Sequence, residues 1–395
     1  MIVADVVLLL LFVFCLGKLS RSISHSPGII PVIALASLLG VAQLIGFGSL
    51  LLVIDKYSVS VVLACCASAS LLAWLAANRL GEVVPAADLP PQKDLALLLG
   101  FALIAAVIAT PAYQITAMGS DAGVYVNRTI QLATDGALFP AIGIDLEKFP
   151  APLRQRYLDD NFASQAVGHS VLVDGAKIHA GEALAIEFHA LPGWPLLLST
   201  SAHFLGLDNA QTITALVLLT FGALAYLVML EVTRNSLISA AVALSLMCLP
   251  ITVYFSRYPT VELLLAMLCT GVVYLLLSGI RFSGLVAGLL TGVYSLVHLS
   301  GFILMLVASV FAVLLIPSLD AGKRRQFSVF LAVAGVCQLA AIWYVSVVSN
   351  GYMSDLMTIG FGSKQSGLTV VLGLALLVIA LSIICYPRAK VSDAH

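Results

Sequence analysis

The chain is expected to fold as an α-helical polytopic membrane protein with about eleven transmembrane helices and one large extracytoplasmic loop region containing short amphipathic helices. Three observations lead to this class. Hydrophobic residues fill 61% of the 395 positions and charged residues 10%, with a mean hydropathy of +1.07. Apolar runs of roughly 20 residues, enough to cross a ~30 Å hydrocarbon core, recur along the whole sequence. One polar stretch, Tyr113 to Glu182, interrupts them and holds eight of the twenty acidic residues: Asp121, Asp135, Asp145, Glu147, Asp159, Asp160, Asp174 and Glu182.

The apolar windows lie near 2–17, 29–54, 58–77, 95–112, 209–230, 236–254, 259–279, 283–298, 301–316, 327–348 and 367–386. They divide the chain into N-terminal transmembrane helices (1–112), an extracytoplasmic loop with interfacial helices (113–207) and C-terminal transmembrane helices (208–395). The first window lacks a basic lead-in and a small-residue cleavage site before Lys18, so it is expected to stay as a helix.

Lys and Arg set the orientation. With the N-terminus outside, the inner loops collect eleven basic residues, from Lys18 and Arg21 to Arg388 and Lys390. The short outer loops hold three: Lys56, Arg257 and Lys364. Long translocated loops escape this bias, so 113–207 is left out of the comparison. The asymmetry puts the acidic stretch outside.

Helices this apolar offer few groups for proton chemistry, which directs attention to that stretch and to the charged helix ends around it. The sequence Ser120-Asp121-Ala122-Gly123-Val124-Tyr125 starts an amphipathic helix that Gly136 should end. Asp121 and Tyr125 are four apart and share a face. The plainer role for Asp121 is as an N-cap.

His189 to Gly206 comes next, with Pro192 and Pro195 flanking Gly193-Trp194. It reads as an interfacial helix with Trp194 at headgroup depth. Tyr254 to Glu262 is a tight outer hairpin, in which Arg257 departs from the positive-inside pattern and Glu262 lies about one turn into the following span. A carboxylate inside a span pairs or works, and the plain alternative is an Arg257–Glu262 ion pair. The apolar run from Ser283 to Ile316 is too long for one span and should fold back near His298. Lys364 is the last outer cation.

His169, His179, His189 and His203 show no metal-ligand spacing, and all seven cysteines lie inside the apolar windows. No metal or other cofactor is therefore called for; a divalent ion has no support in the spacing. Phosphate-binding Gly loops and nucleophile elbows are absent, and the near-neutral charge gives no reason to expect nucleic acid.

In this order the motifs resemble the GT-C membrane glycosyltransferases, above all the protein mannosyltransferase-like and lipid A aminoarabinose transferase-like groups. The resemblance covers roughly 110–315. It rests on Asp121 and Tyr125, on Thr134-Asp135-Gly136-Ala137-Leu138-Phe139, on His189 to Gly206 and on Tyr254 to Glu262. Ala122 stands where the family carries a second acidic residue, and about four helices precede the loop instead of one.

The resemblance implies transfer of a sugar from a polyprenyl-phosphate donor to an acceptor hydroxyl on a lipid, protein or glycan. It also implies a bacterial inner membrane with the site facing the periplasm. In that reading Asp121 is the general base, and Arg257, His298 and Lys364 stabilise the departing phosphate. Tyr125, His189, Trp194, Tyr258 and Glu262 would contact substrate, and an apolar groove by Trp194 would hold the prenyl tail. A polytopic transporter or lipid flippase would instead show mid-span ionisable residues and paired halves. An O-antigen ligase or polymerase-like enzyme would show an Arg-rich outer loop.

Overall fold

The computed structural model describes residues 2–24, 28–79, 92–112, 121–139, 150–152, 176–179, 185–188, 190–280, 282–315, 319–349, 353, 357–358 and 362–385. Helices occupy the apolar windows. They are α1 (Ile2–Ile23), α2 (Ile29–Val53), α3 (Val59–Arg79), α4 (Gln92–Ala109) and α5 (Asp121–Thr134), followed by a short antiparallel hairpin of β1 (Ala176–His179) and β2 (Ala185–Phe188). The hairpin was not foreseen from the sequence. Next are α6 (Gly193–Leu205), a 3-10 segment (Leu207–Thr212), α7 (Ile213–Thr233), α8 (Ser236–Cys248) and α9 (Pro250–Arg257). The chain continues through α10 (Glu262–Leu277), α11 (Ser283–Val297), α12 (Ser300–Leu315), α13 (Ala321–Val348) and α14 (Lys364–Cys385).

Among the described residues, five helical stretches are long and apolar enough to cross a membrane: α1, α2, α3, the 3-10 segment continued by α7, and α13. The pair α8–α9, bent by 57°, makes a sixth if counted as one span. The bend falls at Leu249-Pro250, where proline has no N–H to give and its ring clashes with the carbonyl four residues back. Large apolar side chains also cover the outside: Leu10 is 64% exposed, Leu72 66%, Leu103 66% and Leu314 70%. Water would not tolerate such a surface, whereas lipid matches it. The chain has the build of an integral membrane protein.

Local sequence explains the helix ends. Asn235 accepts bonds from the N–H groups of Leu237 and Ile238, which caps α8. Asp320 does the same for α13 through Lys323 N–H at 2.8 Å. The expected stop at Gly136 is present, with φ at +66° and the N–H groups of Asp135 and Gly136 both donating to Gln131 O. The expected fold-back near His298 is present too: α11 ends at Val297 and α12 starts at Ser300.

Apolar packing drives little association inside lipid, so close backbone approach and buried polar bonds must hold such helices together. The α11–α13 pair uses both. Gly284, Gly288 and Gly292 form one ridge on α11, against Gln326, Val333 and Cys337 of α13. Gln338, fully buried, bonds Ser295 Oγ and reaches Thr291 O. Near the other end of the pair, Gln326 bonds Ser283 and Leu275 O.

Candidate active site at one end of the bundle

The contacts sort helix ends into two groups. At one end, Asp5 at the start of α1 meets His203 of α6 at 2.9 Å, and Tyr57 OH meets Ser199 Oγ at 2.6 Å. There too Arg257 at the end of α9 donates from Nε to Ile108 O near the end of α4, at 2.7 Å. Ser349 at the end of α13 donates to Phe188 O. Leu138, Leu299, Val348 and Leu368 share one apolar cluster, which brings the start of α14 to this end as well. At the opposite end Ser22 donates to Asn78, and Gln326 ties α13 to the α10–α11 connection. The elements carrying Asp121, Arg257, His298 and Lys364 therefore converge on the same end.

Helix α5 is built to lie across that end. Val124, Tyr125, Arg128 and Leu132 follow at helical spacing and are all buried. Asp121 is the first helical residue, and the capping position before it, Ser120, lies outside the described residues. An acidic residue in a first turn is favoured by the helix dipole whatever else it does. Arg128 is a residue that charge counting missed. It is 2% exposed, donates from Nη1 to Leu138 O at 2.7 Å and lies 5.1 Å from the Phe188 ring centre. With Gln131 bonding Ala137 O, it clasps the turn after α5.

The α6 segment corrects the sequence reading. Trp194 is not on an exposed interfacial surface: it is 1% exposed, and every residue from Gly193 to Ala202 is buried. The stretch has no charged face, and two of its hydroxyls bond within the helix: Ser199 and Thr200 both donate to Leu196 O. It can therefore be enclosed on all sides. Glycine at 193 makes this possible, because a Cβ there would sit 2.8 Å from Val297 Cγ2 and 3.0 Å from Leu296 O. The start of α6 thus seats against the end of α11, directly before the His298 turn.

The expected cations are held by different walls. His298 Nδ1 lies 2.9 Å from Ser300 Oγ within its own turn. Lys364 opens α14 and is half-buried. Arg257 does not pair with Glu262, which retires that plain alternative: its Nε bond goes to α4, and Glu262 Oε2 is enclosed without a hydrogen bond. Tyr258 is half-buried, with Tyr254 stacked on it at 5.0 Å. His189 lies outside the described residues. Tyr57, between α2 and α3, has its phenol pushed up by burial, against the pull of Ser199 and Thr200, so it bonds Ser199 as a neutral hydroxyl.

Two cavities flank this arrangement. One, of about 350 Å³, lies between the end of α4, α5 and the 3-10 segment, with Thr110, Thr129, Asp208, Asn209, Gln211 and Thr212 in its lining. The other, of about 450 Å³, is almost wholly apolar and runs between α1, α2, α6 and α7, past Phe12, Leu44, Leu197 and Phe204. Asp208, Asn209 and Gln211 were missed from the sequence. Their signal was a run of polar residues across the start of the apolar window near 209–230.

No family model matches the chain, and no curated protein or solved structure matches it either. The likeness to GT-C enzymes rests on the short motifs alone. Among the described residues, no three His, Cys, Asp or Glu side chains gather as metal ligands would.

Proposed function

We propose that this protein is a membrane glycosyltransferase. In this reading it moves a sugar from a polyprenyl-phosphate donor to an acceptor hydroxyl on the outer face of a bacterial inner membrane, with about eleven helices crossing the bilayer. The observation that carries the reading is the convergence of α5, the α9–α10 and α11–α12 turns and the start of α14 on one end of the bundle. Those elements bear the acid and the cations that such a reaction needs.

The chemistry divides between them. Attack on the sugar C1 requires the acceptor hydroxyl to lose its proton as the bond forms, and Asp121 is the proposed base. The donor's C1–O bond breaks toward the phosphate, which leaves with added negative charge. Arg257, His298 and Lys364 supply positive charge or N–H donors on that side of the membrane. The apolar cavity beside α6 would offer the prenyl tail a groove. Tyr125 and Trp194 are both buried and neither lines this cavity, so they would back the site rather than grip the substrate, while His189, Tyr258 and Glu262 remain proposed contacts.

The test is Asp121→Asn, assayed for glycosyl transfer in proteoliposomes with a polyprenyl-phosphate sugar. Asn suits a helix start about as well as Asp, so the fold should survive while transfer falls by ~10²-fold or more. Full activity in the Asn variant would remove Asp121 as the base and move the search to Asp159, Asp160 or Glu187.

A further inference from the structure

The 350 Å³ cavity between α4, α5 and the 3-10 segment carries an assignment of its own. Val126 and Ile130 of α5 and Leu198 of α6 give apolar lining, and the 3-10 segment contributes the polar Asp208, Asn209, Gln211 and Thr212. Its size is at the small end for ligand pockets, suited to a sugar ring and not to a lipid chain.

The protons in this lining are largely committed elsewhere. Thr110 Oγ1 donates to Ala106 O at 2.6 Å, Thr129 Oγ1 to Tyr125 O at 2.8 Å and Thr212 Oγ1 to Asn209 O at 2.8 Å. Asn209 Nδ2 donates to Leu205 O at 3.1 Å. What these groups still offer a ligand is mainly oxygen lone pairs, to which the Asp208 side chain adds its carboxyl oxygens. Gln211 adds an amide that can both give and take. Among the described residues, no lysine, arginine or histidine lines the cavity. A lining that, among the described residues, has acceptors, one carboxylate and no cation selects a ligand rich in hydroxyl donors. It repels one that carries a carboxylate or phosphate at that position.

We propose that this cavity binds a neutral pyranose, with its hydroxyls on the Asp208–Thr212 wall and its C–H face on Val126 and Ile130. The assignment rests on the transferase reading only for calling that sugar a substrate. Val126 is five residues after Asp121, about 8 Å along the axis of α5, so the two sites share one rigid element.

The experiment is saturation-transfer NMR on the full-length protein in nanodiscs, with methyl glucopyranoside and methyl glucuronopyranoside as probes. The neutral glycoside should receive saturation and the uronate should not. Asp208→Ala and Gln211→Ala should each weaken the neutral signal by about fivefold, the worth of one hydrogen bond. Asp208→Lys should admit the uronate. Val126→Phe, which fills the cavity without touching its polar wall, should abolish binding and serves if the wall variants lose their fold. Equal saturation of both glycosides, or neutral binding unchanged in Val126→Phe, would overturn the site. The transfer assay on the wild-type protein separates the two ideas: sugar binding in a protein that shows no transfer sinks the transferase and keeps the site. Transfer without a saturable neutral-sugar signal does the reverse.

Discussion

Arg257 shows what a residue's spacing reveals and what it hides. The sequence marked it as an outer cation five positions before Glu262 and suggested a pair. The structure gives it to α4 instead, where a helix end leaves carbonyls without partners and a guanidinium can satisfy one. That partner lies 149 positions away, so no local pattern could have named it. A capping role and a phosphate-binding role now make different forecasts. Arg257→Ala should lower stability by about 1 kcal/mol for the lost bond in either case. Arg257→Lys should recover much of the melting temperature. If Arg257 also holds the donor phosphate, the Lys variant should still use the donor poorly, since an ammonium lacks the guanidinium fork. Adding Glu262→Gln to Arg257→Ala should restore neither property. Recovery of activity in that double variant would show a functional pair that the structure does not contain.

At the scale of elements, apolar length located the helices well, because the membrane imposes a length on them and leaves their backbones one way to satisfy hydrogen bonds. It did not tell which faces meet. The α6 segment read as interfacial because proline and tryptophan so often mark the boundary, yet its lack of any charged face let it become a core element. The α11–α13 contact was equally hidden: three glycines at four-residue spacing mean little until Val333 and Cys337 are found opposite them. Gly288→Leu should wedge this pair apart and cost about 1–3 kcal/mol, as overfilled cores do. Gly100→Leu is the control, since a side chain there meets open space. Thermal melting of the two variants in detergent measures the difference. Equal melting temperatures would mean that the glycine ridge carries no packing load.

For the molecule as a whole, sequence and structure supply different halves of one argument. Charge counting decides which loops belong together but says nothing of their contacts; the contacts group the helix ends without naming a side of the membrane. Combined, they agree on the grouping. Lys56, Arg257 and Lys364 lie at the end with α5 and both cavities, while Lys18, Arg21, Arg79, Lys323, Arg324 and Arg325 belong to the end where Ser22 meets Asn78 and Gln326 meets Ser283. By the positive-inside rule the candidate site is expected outside. Single cysteines in a Cys-free background test this directly, at Lys56→Cys and Gly322→Cys, both exposed positions. A membrane-impermeant maleimide added to intact cells should label position 56 at once and position 322 only after permeabilisation. Labelling of 322 in intact cells, with 56 protected, would turn the molecule over. Asp121 and the cations would then face the cytoplasm, where a reaction confined to the outer leaflet cannot take place.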